Sequence, residues 1–125
     1  MTGAAIAALK QGMYDMKYYI GIDLGGTNIK AGVVDENYSI IAKASVKTNC
    51  PRPAEDICAD MARVSLMACD EAKIPIDDVE WIGIGTPGIA DNINGTIPYS
   101  NNLDFHNVPV RKLIQETINK PVYVA

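Results

Sequence analysis

A short glycine-rich segment at residues 22–28 carries the residue types in this sequence that are best suited to chemistry. It reads IDLGGTN and lies between two apolar runs short enough to be β-strands, which predicts a hairpin turn. Gly25 and Gly26 have no Cβ, so the backbone can turn tightly and another group can approach it closely. Successive free N–H groups in such a turn form a concave site for an anion.

Two polar side chains flank these glycines. Asp23 would repel a phosphate bound at the turn unless a cation such as Mg²⁺ mediated between them, and Thr27 adds a hydroxyl. We therefore interpret the segment as a hairpin that holds nucleotide phosphates and their metal ion. An ordinary Gly-Gly hairpin without a ligand is the alternative.

A polar stretch at residues 87–107 holds a second group of candidates, namely Ser100, Asn101, Asn102 and Asp104. A long polar stretch in a small domain is usually a functional loop. Carboxamides and carboxylates pair with vicinal hydroxyls, so this is the composition expected where a sugar is bound. Asn also tolerates left-handed backbone in ordinary turns, and a turn-rich loop without a ligand is the alternative.

A second glycine motif, GIGTPG at residues 83–88, matches the G-x-G-x-x-G pattern of dinucleotide-binding proteins. That pattern binds a pyrophosphate when its glycines open a helix. Residues 89–96 are rich in Asp, Asn and Gly, which are poor helix formers. We therefore reject a dinucleotide site, and the sequence has no Walker A motif of the P-loop class.

Two basic side chains close to these motifs are expected to be structural. His106 is the only histidine of the chain and has no evident partner for catalysis, so we expect it to pack in a surface loop. Lys30 follows the turn and is expected to face solvent on the sheet rather than to bind phosphate.

Composition excludes several classes of protein. The chain has 125 residues, of which 48% are hydrophobic and 21% charged, which suffices for one globular domain. Its net charge of −4 argues against a nucleic-acid or membrane-surface binder, and no apolar run approaches the ~20 residues that span a bilayer. Cys50, Cys58 and Cys69 form no C-x-x-C pair, so we expect no zinc site and a reducing, cytoplasmic location.

Hydrophobic periodicity predicts the elements that must position these residues. Strands are expected at residues 18–23, 29–34, 39–48, 80–86 and 122–125. Helices are expected at residues 54–73 and 110–119, the second capped by Asn107. The order βββαβαβ starts as an antiparallel meander and continues with parallel strands, so the fold class is α/β with an open, mixed five-stranded sheet.

The two ends of the sequence are interpreted separately. Residues 1–15 are expected to be a disordered leader before the domain of residues 16–125. The fifth strand reaches Ala125 without a cap or tail, so we expect the chain to be a fragment of a longer protein.

Several segments in order resemble one protein family. DLGGTNIKAG at residues 23–32 resembles the phosphate-binding hairpin of the ROK family of sugar kinases and repressors. GIGTPG at residues 83–88, YSNNL at residues 99–103 and PVYVA at residues 121–125 extend the resemblance over roughly residues 18–125. It implies the actin-like ATPase fold, in which two ribonuclease-H-like lobes enclose the nucleotide, with this chain as the first lobe.

The resemblance also implies roles on the phosphate side of the site. Asp23 would hold Mg²⁺ through water, and Gly25, Gly26 and Thr27 would face the phosphates of ATP.

On the sugar side, the resemblance implies that Gly88 contacts the hydroxyls of a hexose together with Asn101 or Asn102. It leaves open which asparagine does so and which hexose is bound.

Other parts of such a kinase would lie outside this sequence. In ROK kinases the strand that resembles residues 122–125 is followed by Asn-Asp, whose aspartate is the general base toward the sugar hydroxyl. The adenosine pocket, a second phosphate loop and a zinc-binding Cys/His segment would belong to the second lobe. We expect the parent protein to be a homo-oligomer, namely a dimer.

Two alternatives to a glucokinase-like parent remain. A ROK repressor would carry a DNA-binding winged helix-turn-helix of about 60–80 residues before the turn, whereas 22 residues precede Asp23 here. A non-sugar ATPase of the same superfamily is disfavoured by the asparagine-rich loop.

We predict that the 125-residue chain alone is inactive because the expected general base lies beyond Ala125. Mixed with ATP, Mg²⁺ and glucose, it should form no glucose 6-phosphate above background in a coupled assay. Robust turnover would show that the base has been wrongly placed.

Overall fold

The computed structural model describes residues 2–4 and 16–125, and residues 16–125 form eight strands, two α-helices and a short 3-10 helix. The strands are β1 Tyr18–Leu24, β2 Asn28–Val34, β3 Ile40–Lys47, β4 Val79–Gly85, β5 Ile89–Asp91, β6 Thr96–Ser100, β7 Phe105–Val108 and β8 Val122–Val124. The helices are α1 Ala54–Ala72, the 3-10 helix Ile76–Asp78 and α2 Val110–Gln115.

The main sheet has the five strands that the sequence predicts, in the spatial order β3-β2-β1-β4-β8. β1, β2 and β3 pair as an antiparallel meander, whereas β4 pairs in parallel with both β1 and β8. The parallel pairing follows from the crossover through α1, which returns the chain to the other side of β1. The predicted fold class and mixed sheet are confirmed.

One face of this sheet forms the core. Ile20, Ile22 and Leu24 of β1 are buried, as alternation along the strand predicts. α1 packs on this face with its own buried stripe, which includes Ile57 and Met61 at helical spacing. The helix ends at Lys73, which takes a left-handed conformation with φ 58°.

The prediction of an irregular loop at residues 87–107 is wrong. This stretch forms a second sheet of three antiparallel strands in the order β5-β6-β7. Its strands are too short to show a period-2 pattern, and the middle one contains Pro98, which argues against a strand in the sequence. What holds the second sheet is burial of Ile97 and Phe105 in the common core, a contact that local sequence does not reveal.

The predicted start and end of α2 also need correction. Asn107 lies in β7 with φ 51° and is not the cap; the helix begins after Pro109, with no side-chain hydrogen bond at its N-terminus. α2 ends at Gln115 rather than at residue 119. Pro121 disfavours helical backbone at the residue before it, and the intervening turn buries Ile118 in the core.

The leader predicted over residues 1–15 lies outside the described residues, apart from Thr2, Gly3 and Ala4, which are exposed. Within residues 2–4 and 16–125, no helix is long and apolar enough to cross a membrane.

Arg111 joins the second sheet to the last strand of the main sheet. Its Nε donates to the Val122 carbonyl at 2.7 Å, and its Nη2 donates to the Asn92 carbonyl at 2.6 Å. The Asn92 side chain in turn accepts the Val124 N–H at 3.0 Å. A Cβ on Gly95, whose φ is 69°, would lie 2.6 Å from the Cβ of Arg111, so only glycine fits beside it.

We predict that Arg111→Ala lowers the free energy of unfolding by about 2 kcal/mol, because it leaves carbonyls without their charged donor. Lys112→Ala is the matched control, since its side chain is exposed, and it should stay within about 0.5 kcal/mol of the parent chain. Urea denaturation measures both values. Equal stabilities of the two variants would contradict a structural role for Arg111.

Candidate active site

The turn between β1 and β2 is held by hydrogen bonds from the segment that follows β3. Thr48 donates its hydroxyl to the Gly25 carbonyl at 2.7 Å and its N–H to the Thr27 carbonyl at 2.9 Å. The Cys50 thiol lies 3.0 Å from the Gly26 carbonyl and donates to it. Three successive carbonyls of the turn therefore point toward residues 48–50.

This arrangement decides where the N–H groups of the turn point. In a planar trans peptide the C=O of one residue and the N–H of the next point in opposite directions. The N–H groups of Gly26 and Thr27 consequently point away from residues 48–50, and neither donates to an acceptor within the described part of the chain. Two adjacent N–H groups directed outward are the arrangement that the predicted anion site requires.

Gly25 is sterically required in this turn. Its N–H donates to the Asn28 carbonyl at 3.0 Å, which closes the hairpin. A Cβ on Gly25 would lie 2.9 Å from that same carbonyl oxygen, closer than real Cβ atoms approach. Gly25 thus shapes the turn, while Gly26 and Thr27 present the donors.

Asp23 lies at the end of β1 on the exposed face of the sheet, paired in register with Lys30. No cluster of three or more potential metal-ligating side chains occurs among residues 2–4 and 16–125. A single exposed carboxylate beside an anion site fits Mg²⁺, which keeps several waters and shares its coordination with phosphate oxygens. The donor set therefore fits a metal ion that arrives with a nucleotide.

The contacts that hold the turn continue into helix α1. Thr48 is fully buried, and its own carbonyl accepts the Arg52 Nε–H at 2.7 Å. Arg52 forms an ion pair with Asp60, which Arg63 also contacts at 3.1 Å. Partial burial raises the pKa of Asp60, but hydrogen bonds from both arginines outweigh it and leave that pKa below the usual value. A charged network thus anchors Thr48 to the helix.

The predicted sugar loop forms one wall of a cavity of about 390 Å³. The cavity is lined by Pro87, Gly88, Ile89, Tyr99, Ser100, Asn101 and Asn102. A Cβ on Gly88 would lie 2.3 Å from the Tyr99 carbonyl oxygen, so glycine is required for the close approach to β6. The structure therefore brings together Gly88 and both candidate asparagines.

The two asparagines differ in their surroundings. Asn101 accepts a hydrogen bond from the Tyr99 hydroxyl at 3.3 Å, whereas the side-chain amide of Asn102 makes no hydrogen bond within the described residues. A Cβ built on Gly26 would lie 3.6 Å from the Cβ of Asn102. The cavity and the glycine turn at residues 25–27 are therefore neighbours, and Asn102 lies where they meet.

The residues given structural roles from the sequence lie at the exposed edge of this site. His106 is exposed, 3.1 Å from the Asp104 carboxylate, and its ring packs edge-on to Tyr99. Lys30 is exposed on the sheet, as predicted. β4 is followed by β5 rather than by a helix, in agreement with the rejection of a dinucleotide site.

Cys58 and Cys69 are buried in the core, as predicted. Burial, with a contribution from Glu55, raises the pKa of Cys58 to about 12, and burial raises that of Cys69 to about 11. Both thiols are therefore unreactive parts of the core.

Sequence reasoning missed Thr48 and Cys50. The sequence predicts Thr48 as the last residue of the third strand and gives Cys50 no part in the site. The available signal was the antiparallel pairing of β2 with β3, which sets Asn28 opposite Lys47 and so places the next residues under the turn.

Fold and site together define a class of protein. The mixed sheet with helices packed on it is a lobe of the actin-like ATPase fold. It is similar to a ROK family glucokinase from Streptomyces griseus solved in complex with glucose and AMPPNP, with a TM-score of 0.75 and 34% identity. That match covers 86% of this chain and 32% of the glucokinase chain.

The sequence matches the profile of the ROK family over residues 19–125, and the chain belongs to this family. It is 34% identical to the glucokinase of Thermotoga maritima over 106 residues, which are 84% of this chain and 32% of that enzyme. It is 30% identical to the xylose repressor of Caldicellulosiruptor bescii over 117 residues, which are 88% of this chain and 28% of the repressor. The chain thus spans about a third of the length of these relatives.

We predict that Thr48→Val, which removes the hydroxyl but keeps the shape, lowers the free energy of unfolding by about 1–3 kcal/mol. The reason is that the Gly25 carbonyl loses its donor at a buried position. Thr117→Val is the control, because Thr117 is exposed, and it should change stability by less than about 0.5 kcal/mol. Chemical denaturation compares them, and an unchanged Thr48→Val variant would show that the bond does not hold the turn.

Proposed function

We propose that this chain is part of an ATP-dependent kinase that phosphorylates a hexose hydroxyl, as a glucokinase does. One observation carries the proposal: an outward-facing pair of N–H groups at Gly26 and Thr27 lies directly beside a cavity lined by asparagines. A phosphate site next to a sugar-sized polar cavity is the arrangement that phosphoryl transfer to a sugar requires.

On the phosphate side, the chain contributes positioning and charge stabilisation. The N–H groups of Gly26 and Thr27 would bind phosphate oxygens of ATP, since they are directed outward without internal acceptors. Asp23 would hold Mg²⁺ through water at the edge of the same turn. When bound, the metal ion would neutralise part of the negative charge on the phosphates.

On the sugar side, we propose Asn102 rather than Asn101 as the residue that binds hydroxyls. Its carboxamide is uncommitted among the described residues and has both a donor and an acceptor for two adjacent hydroxyls. The amide oxygen of Asn101, by contrast, already accepts a hydrogen bond from the Tyr99 hydroxyl. Gly88 contributes because it has no side chain: its backbone can lie close to β6, and no Cβ fills the cavity.

The proton of the attacking hydroxyl requires a base, and no Asp, Glu or His is among the described residues that line the cavity. We propose that the base, the adenosine pocket and any zinc site belong to the two-thirds of the relatives' length that this chain does not cover. A cytoplasmic location and a dimeric parent remain predictions.

In the full-length protein that contains this chain, we predict that Asn102→Ala lowers kcat/KM for glucose about 10- to 100-fold, the effect of losing two hydrogen bonds to the sugar. The KM for ATP should change less than about threefold. Asn101→Ala is the matched control and should lower kcat/KM for glucose less than about fivefold. A larger loss in Asn101→Ala than in Asn102→Ala would reverse our assignment.

A sugar-responsive regulator is the second candidate, because a xylose repressor is 30% identical over 117 residues. Assays of ATP consumption and of DNA binding on the full-length protein distinguish the two functions. A sugar kinase consumes ATP only when its sugar is present, whereas a regulator binds DNA in a sugar-dependent manner without turnover. ATP hydrolysis that is independent of sugar would instead indicate a non-sugar ATPase.

A further inference from the structure

Cys50 contacts both halves of the proposed site. Its sulfur lies 3.0 Å from the Gly26 carbonyl oxygen and 3.4 Å from the Asn102 carbonyl oxygen. These partners are separated from Cys50 by 24 and 52 residues in the sequence. The thiol is therefore located between the phosphate turn and the loop that carries the sugar-binding candidate.

The hydrogen bond from Cys50 to the Gly26 carbonyl fixes the orientation of a peptide group that can otherwise rotate easily. The peptide between Gly26 and Thr27 can rotate because the glycine on one side lacks a Cβ. Rotation would turn the Thr27 N–H away from the anion site, since C=O and N–H of one peptide are opposed. Thr48 holds the two neighbouring carbonyls, at Gly25 and Thr27, but the Gly26 carbonyl has only the Cys50 thiol as a donor in the described chain.

The contact to Asn102 sets the spacing between the two halves. Asn102 is exposed and lies in the turn between β6 and β7, where its backbone carbonyl meets the Cys50 sulfur. Because a thiol has one hydrogen, which is donated to Gly26, the contact to Asn102 is a packing contact that limits how closely the two segments approach. A small shift between reacting groups lowers the rate of a positioned reaction strongly.

We propose that Cys50 is a positioning residue of this site. Its thiol holds the Gly26 peptide so that the Thr27 N–H faces a phosphate, and it braces the phosphate turn against the backbone of Asn102. The proposal rests on the proposed function and adds a residue that couples the phosphate and sugar halves. Thiol and hydroxyl both donate one hydrogen bond, so serine at this position should support the same arrangement.

The test uses the 125-residue chain, labelled with ¹⁵N, and sodium tripolyphosphate with Mg²⁺ as the anion probe. In Cys50→Ala we expect the affinity measured at the amides of Gly26 and Thr27 to fall about three- to tenfold, the effect of one hydrogen bond. The amide signal of Asn102 should shift in the same variant. Cys50→Ser should restore the affinity to within about twofold and return both sets of signals toward those of the parent chain.

Ser45→Ala is the matched control, because Ser45 is an exposed residue of the preceding strand β3, and it should behave as the parent chain. Unchanged affinity in Cys50→Ala, with signal changes confined to the sequence neighbours of residue 50, would overturn the proposal. Equal losses in Cys50→Ser and Cys50→Ala would also overturn it, because the donor would then be irrelevant.

Failure of the proposed function gives a different result. If the parent chain shows no response to tripolyphosphate at Gly26 and Thr27, the phosphate role of the turn is wrong. The positioning role is then judged on the spectra without ligand. Joint shifts at Gly26 and Asn102 in Cys50→Ala that are reversed in Cys50→Ser support it, and their absence refutes it.

Discussion

The candidate site depends on how the carbonyl groups of one glycine turn are held. Two adjacent glycines give the turn at residues 25–27 great conformational freedom, so its own sequence does not fix the direction of its N–H groups. Hydrogen bonds from Thr48 and Cys50 remove this freedom by directing three successive carbonyls to one side. The outward direction of the Gly26 and Thr27 N–H groups is the result of that constraint, since each N–H opposes the carbonyl of its own peptide.

This constraint connects the site to the rest of the fold. The register of β2 against β3 places residue 48 beneath the turn, and the Arg52–Asp60 ion pair ties the Thr48 carbonyl to helix α1. The second sheet then brings Asn102 against the turn because its hydrophobic side chains are buried in the same core as those of the main sheet.

The relatives indicate how such a lobe is used. The chain is comparably similar to a glucokinase and to a xylose repressor, at 34% and 30% identity. The glycine turn and the asparagine-lined cavity of this chain meet at Gly26 and Asn102. We propose that the function of the whole protein depends on whether these two features are combined with a general base.

The sequence by itself determined the five strands of the main sheet, helix α1 and the turn at residues 22–28, because periodicity and glycine spacing are local properties. It also identified Gly88 and the asparagine pair as candidates. Only the tertiary structure revealed the second sheet, distinguished Asn102 from Asn101, and showed Thr48 and Cys50 under the turn. The contacts of Thr48 and Cys50 join residues 23, 24 and 52 positions apart. Strand register and burial in a shared core set such contacts, and neither can be read from a short window of sequence.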